Sequence, residues 1–260
     1  MDWNLIGLGT GASAAAGLAT AAGALPVYVL RSVSPRLQNA FLGFAAGVML
    51  AASFFSLILP GLEISQERTG SAPISATIVA AAVLLGAATL HVINRTAPHE
   101  HFITGPTERG AVSRLSRIWL FIIAISLHNF PEGLAVGVSF GGNDLGKGWA
   151  TALGIGLQNM PEGLAVAVAL VSVGYSRTFA FLTALGTGLI EPVGGFLGIS
   201  AVTTVSGLLP WGLGFAGGAM IWVVSSEIIP ETHREGNQGI ATGALMIGLA
   251  AMMFLDWTFG

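Results

Sequence analysis

Eight apolar runs, each long enough to cross a lipid bilayer, constrain this chain more than any other feature. They fall at about Leu5–Leu30, Ala40–Leu59, Ile74–Ile93, Ile118–Phe140, Trp149–Val173, Thr178–Val202, Leu208–Ile229 and Ile240–Phe259. A hydrocarbon core of about 30 Å needs roughly 20 helical residues, so 260 residues hold eight spans and short connections but no sizeable soluble domain. Hydrophobic residues make up 53% of the chain and charged residues only 9%, too apolar for a water-facing surface. The expected fold is an all-α polytopic membrane protein, one transmembrane domain over residues 1–260. Its long polar connection is a loop, Asn94–Arg117, between the third and fourth spans.

Basic residues set the orientation. With both termini outside, Arg31, Arg36, Arg95, Arg109, Arg114, Arg117, Arg177 and Arg234 fall in cytoplasmic loops, and Arg68 and Lys147 remain outside. Met1-Asp2-Trp3 lacks the basic start of a signal peptide, so the first span is expected to stay in the mature chain. A multi-pass protein of the plasma (inner) membrane is expected. Topology accounts for the basic residues, and no nucleic-acid partner is expected. The 37 glycines, clustered as in Gly43-Phe44-Ala45-Ala46-Gly47 and Gly194-Gly195-Phe196-Leu197-Gly198, suit close helix packing in lipid.

Chemistry enters through a near-repeat. His128-Asn129-Phe130-Pro131-Glu132-Gly133-Leu134-Ala135 returns thirty residues later as Gln158-Asn159-Met160-Pro161-Glu162-Gly163-Leu164-Ala165. At i and i+4, His128 and Glu132 share one face of the fourth helix, and Gln158 and Glu162 one face of the fifth. Pro131 and Pro161 each remove a backbone hydrogen bond, so both helices are expected to kink there and turn carbonyl oxygens toward a cavity. Ion pairing between helices could explain a lone buried Glu or His. Two Glu with one His and one Gln carry more negative charge than these side chains neutralise, which calls for a bound cation or for protonation. An imidazole, two carboxylates and amide oxygens suit a borderline divalent ion such as Zn²⁺. The chain has no Cys, so neither thiolate ligands nor disulfides are available.

The double motif His128-Asn129-x-Pro131-Glu132-Gly133 and Gln158-Asn159-x-Pro161-Glu162-Gly163 resembles the signature of the ZIP (Zrt/Irt-like) divalent-metal transporters, in particular their bacterial branch. The resemblance extends to the eight spans, to Glu191-Pro192 in the sixth, and to Ser225-Ser226-Glu227-Ile228-Ile229-Pro230-Glu231-Thr232-His233-Arg234 in the seventh. It implies a metal carrier with a two-metal site between spans four and five. One site would draw on Met49, His128, Glu132, Gln158 and Glu162, and the other on Asn129, Glu132, Asn159, Glu162 and Glu191. It also implies an inverted repeat, spans one to three against six to eight around a central pair, with import into the cytoplasm and a homodimer. Some relatives carry a His where Ser226 stands and an acid where Asn94 stands, so the inner site is not carried over whole.

Other polar positions mark a pathway. Ser56 and Glu63 flank Pro60 at the outer end of span two and Asp256 ends span eight, where they would draw cations to an external mouth. Glu227 and Glu231 share a face at the inner end of span seven, and His99 and His101 in the long loop are spaced like a transient metal-binding tract. His91 has no evident partner. The expected cargo is zinc, with Cd²⁺, Fe²⁺, Mn²⁺ and Co²⁺ as further candidates and no bound cofactor. Binding would displace protons, so transport is expected to vary with pH. Two other classes stay open: a selective divalent-cation channel, which shares the polar midplane, and a membrane-embedded metalloenzyme that activates water. The second lacks a separate nucleophile or substrate domain.

Overall fold

The computed structural model describes residues 2–30, 34–96, 114–142, 144–172, 174–233 and 236–259, which contain helices and turns and no strand. Eight long helices follow one another: α1 (Trp3–Tyr28), α2 (Pro35–Thr69), α3 (Ala72–Thr96), α4 (Arg114–Ser139), α5 (Leu145–Ser172), α6 (Arg177–Thr204), α7 (Leu209–Thr232) and α8 (Gln238–Phe259). All except α4 meet length and hydropathy criteria for crossing a membrane, and α4 has 26 residues.

Local chemistry accounts for the helix ends. Asp2 accepts from the backbone N–H groups of Asn4 and Leu5 at the start of α1, and Ser34 and Ser176 cap α2 and α6 in the same way. Gly70, at φ 63°, ends α2 in the left-handed conformation. The long loop is shorter than its polarity suggested: Asn94–Thr96 and Arg114–Arg117 are helical backbone, since the hydrogen bonds of a helix do not require apolar side chains and can carry a span past the hydrocarbon. His99 and His101 lie outside the described residues.

Three proline effects separate the structure from a row of straight rods. Spans two and seven do not stop before Pro60 and Pro230; each helix runs through a widened π-helical stretch, Ala52–Ile58 and Val224–Ile228, and on past its proline. Pro offers no N–H to the carbonyl four residues back and crowds it, and a wider turn relieves both problems. The sixth span, expected to be continuous, breaks at Leu189–Ile190 into Arg177–Gly188 and Glu191–Thr204, with Pro192 in the first turn of the second piece. By contrast α4 and α5 remain helical through Pro131 and Pro161.

The helices form two groups. In one, α1 packs on α5, α4 on α6, and α1 on α6; in the other, α2 packs on α8 and α3 on α7. The seam between them is made by α2 with α5, α4 with α7, and α5 with α8, whereas α3 and α4 make at most marginal contact among the described residues. Glycine permits the close crossings. A Cβ at Gly17 or at Gly188 would stand 2.2 Å from the other's carbonyl oxygen, and Gly47 meets Leu245 of α8 much as Gly218 meets Val83 of α3. Two apolar grooves of about 500 and 460 Å³ open along the seam. Pro26, Phe44, Leu164 and Ile247 line the first, and Leu197, Phe215, Leu134 and Leu85 the second. Large apolar side chains remain exposed on the outer helices, among them Leu84 and Leu85 on α3 and Ile247 and Phe254 on α8.

Candidate metal site

The repeated motif lies where α4 and α5 meet α1 and α6, and its glycines explain how. A Cβ at Gly133 would stand 2.0 Å from the carbonyl oxygen of Glu191, and one at Gly163 would stand 1.8 Å from that of Thr20. Each Pro-Glu-Gly segment therefore lies flat against another backbone, and the Glu before each Gly is carried into the interior. His128, Asn129, Glu132, Gln158, Asn159, Glu162 and Glu191 are all buried.

Three polar pairs organise these side chains. Gln158 Nε2 donates to Glu132 Oε1 (2.5 Å), and Asn159 Nδ2 donates to Glu191 Oε1 (2.6 Å) and to the Ala16 carbonyl (2.8 Å). His128 Nε2 stands 2.9 Å from Glu227 Oε2. Glu132 feels the charges of Glu162 and Glu191, and Glu162 that of His128. Among the described residues no three His, Asp or Glu side chains gather tightly enough to hold one ion. Donors for a cation must therefore come from amides as well as acids. Such donors are present: Glu132 Oε2, Glu191 Oε2, Gln158 Oε1, Asn159 Oδ1 and Asn129 Oδ1 are buried without a hydrogen-bond partner. Most buried polar atoms in proteins are paired, so a cluster of unpaired oxygens marks a place built for something else.

The break in α6 positions Glu191. Helical hydrogen bonding stops at Leu189–Ile190 and restarts with Glu191, whose carbonyl accepts from Ser13 Oγ (2.9 Å). A discontinuous helix at membrane depth is tolerated where it lines a protein interior, and is a common way to present ion ligands. Glu191-Pro192 was the sequence signal for this break. Met49 is buried on α2 within an apolar cluster that includes Val48 and Ala52.

Away from the centre, a cavity of about 370 Å³ opens on the face that carries the two termini, lined by Ser56, Glu63, Glu67, Asp144, Lys147 and Ser139, among others. Ser56 Oγ donates to Asp256 Oδ1 (2.6 Å), and Lys147 Nζ lies 3.2 Å from Glu63 Oε2. The structure thus gathers the three external candidates, and adds Lys147 as a partner for one of them. On the opposite side, Glu227 sits in the widened turn of α7 and reaches His128, a contact that sequence spacing did not reveal. Glu231 lies a turn further on, half-buried. The ring of His233 is engaged at the end of α7, where Nδ1 lies 2.8 Å from the Ile229 carbonyl. His91 acquires a partner as well, its ring edge-on to Trp222 at a centroid distance of 4.9 Å.

Comparison with known proteins agrees with this architecture. The family model for ZIP zinc transporters matches residues 107–256. The chain is 46% identical over 255 residues to the zinc transporter GufA of Myxococcus xanthus, covering 98% of this chain and all of that protein. It is 47% identical over 242 residues to the zinc transporter ZIPB of Bordetella bronchiseptica, covering 93% of this chain and 78% of that one. The human zinc transporter ZIP11 is 33% identical over 321 aligned positions that take in 93% of this chain and 94% of that protein. The chain belongs to the ZIP family of zinc transporters.

Proposed function

We propose that this chain carries Zn²⁺, and with lower preference Cd²⁺, Fe²⁺, Mn²⁺ or Co²⁺, into the cytoplasm by alternating access through a two-metal site between α4 and α5. Family membership makes it a multi-pass membrane transporter and not an enzyme. The observation that carries the site is the cluster of buried, unpartnered oxygens in the two motif copies and Glu191. Met49, His128, Asn129, Glu132, Gln158, Asn159, Glu162 and Glu191 are its ligands. While Gln158 and Asn159 give their N–H groups to Glu132 and Glu191, rotation of each amide would turn its oxygen to the ion instead.

The route runs from the cavity at Ser56, Glu63 and Asp256, through the central ligands, to Glu227 and Glu231. Basic residues of the loops speak for a termini-outside orientation, with that cavity external. An inverted repeat of α1–α3 and α6–α8 is supported by register. Adding 171 converts Gly17 to Gly188, Pro26 to Leu197, and Gly43-Phe44-Ala45-Ala46-Gly47-Val48-Met49 to Gly214-Phe215-Ala216-Gly217-Gly218-Ala219-Met220, and the two seam grooves have corresponding linings. The seam breaks that symmetry, since α5 packs on α8 while α3 scarcely meets α4. Such asymmetry fits a carrier whose α1, α4, α5 and α6 group shifts against the other to reverse access. Apolar flanks of α3 and α8 would face lipid or a second copy.

Zinc uptake into proteoliposomes holding a fluorescent zinc indicator tests the reading. Saturable uptake in the wild type and its loss in Glu162→Ala are expected. Wild-type flux in the mutant overturns the site, and flux that never saturates favours a channel.

A further inference from the structure

Threonines inside a helix often donate to the carbonyl four residues back, and several of this chain do: Thr77, Thr89, Thr151 and Thr183 each make that bond at 2.8 or 2.9 Å. Two on α1 do not, the half-buried Thr10 and the fully buried Thr20. At Thr20 the carbonyl four residues back, that of Ala16, accepts from Asn159 Nδ2 instead. Thr20 is 1% exposed, and its Oγ1 has no hydrogen-bond partner. A hydroxyl left open in the interior of a membrane protein is costly.

Its position gives the open hydroxyl a meaning. Thr20 Oγ1 lies 2.9 Å from where a Cβ of Gly188 would stand, and Glu191 Oε1 lies 3.3 Å from where a Cβ of Gly17 would stand, so both side chains flank one helix crossing. The Thr20 carbonyl rests on Gly163, next to Glu162, just as the Glu191 carbonyl rests on Gly133, next to Glu132. The register of 171 residues takes Thr20 to Glu191, and the motif spacing of thirty takes Asn129 to Asn159. Asn159 and Glu191 are hydrogen-bonded to each other, whereas their counterparts Asn129 and Thr20 both remain open.

We propose that Thr20 supplies a further oxygen donor to the central metal site, from the α1 side and opposite Glu191. This rests on the reading of that centre as a metal site. A hydroxyl adds a neutral hard donor where Glu132, Glu162 and Glu191 already supply three carboxylates, and so completes coordination without adding charge.

The absence of cysteine permits a direct test in the full-length chain. Thr20→Cys, purified in detergent and titrated with Cd²⁺, should develop the ultraviolet charge-transfer absorption of a cadmium thiolate, and excess Zn²⁺ should remove it. Cadmium that binds by equilibrium dialysis without this absorption overturns the role of Thr20 and leaves the central site standing. A wild-type chain that binds no cadmium or zinc overturns both. Independently, Thr20→Val should weaken zinc binding about tenfold, the scale on which supporting groups of metal sites act, while Thr20→Ser keeps wild-type affinity. Equal affinity in all three also overturns the proposal.

Discussion

At the residue scale, the centre is a set of buried hydrogen bonds that an ion would have to exchange in the proposed carrier. Gln158 donates to Glu132, and removing that donor leaves a buried carboxylate oxygen with nothing to replace water. Gln158→Leu is therefore expected to lower stability by about 1–3 kcal/mol, the cost of a buried group deprived of its partner, read as a fall in melting temperature in detergent. Loss of zinc flux should accompany it. Met49 gives a contrasting case: its apolar surroundings tolerate a volume-conserving replacement, so Met49→Leu should keep the melting temperature and shift the preference between Cd²⁺ and Zn²⁺ measured by competitive uptake. At the proposed external mouth, Asp256→Asn keeps the size of the group that accepts from Ser56 but removes its charge. A higher zinc KM with little change in maximal rate is expected, as for a group that concentrates cations without binding them in transit.

At the element scale, backbone contact at glycine decides how the helices seat. Gly133 and Gly163 lie against carbonyls of α6 and α1, at distances no Cβ can occupy, whereas nothing lies within 4 Å of a Cβ at Gly243 on α8. Gly133→Ala and Gly163→Ala should each cost about 1–3 kcal/mol through overpacking, with Gly243→Ala close to neutral on the same thermal melts. The final Gly of each motif copy thus serves packing, and the Glu before it is the proposed ligand. Prolines act at this scale too. Pro60 and Pro230 widen α2 and α7 without ending them, and Glu227 enters the widened turn and meets His128.

At the scale of the whole molecule, the proposed alternating access has one group of helices move past the other, and the seam is where such motion can be stopped. Gly154 of α5 faces the Met252 side chain of α8 so closely that a Cβ would stand 2.2 Å from the sulfur. Cysteines at Gly154 and Met252, joined by a short bifunctional thiol reagent, should abolish zinc flux while zinc binding persists. Undiminished flux in the cross-linked protein would show that this contact stays closed throughout the cycle. Because the chain has no cysteine of its own, the same reagent should leave the wild type unaffected.

The sequence alone determined the spans, their number and the residues of the central motif, because burial in lipid leaves a composition signal about twenty residues long and ionisable groups stand out against it. The relation between the halves came to the sequence reading only through the family resemblance; the recurrence of Gly43–Met49 as Gly214–Met220 was passed over there, because seven small and apolar residues do not stand out in a chain this rich in both. Tertiary structure decided which residues meet. His128 pairs with Glu227 across 99 positions of chain, Asn159 takes the Ala16 carbonyl from Thr20, and Ser56 finds Asp256 at the far end of α8. These contacts depend on where glycine lets backbones touch and on where proline widens or breaks a helix. Periodicity places a side chain on one face of one helix; the partner it meets there is set by the packing of another helix against that face.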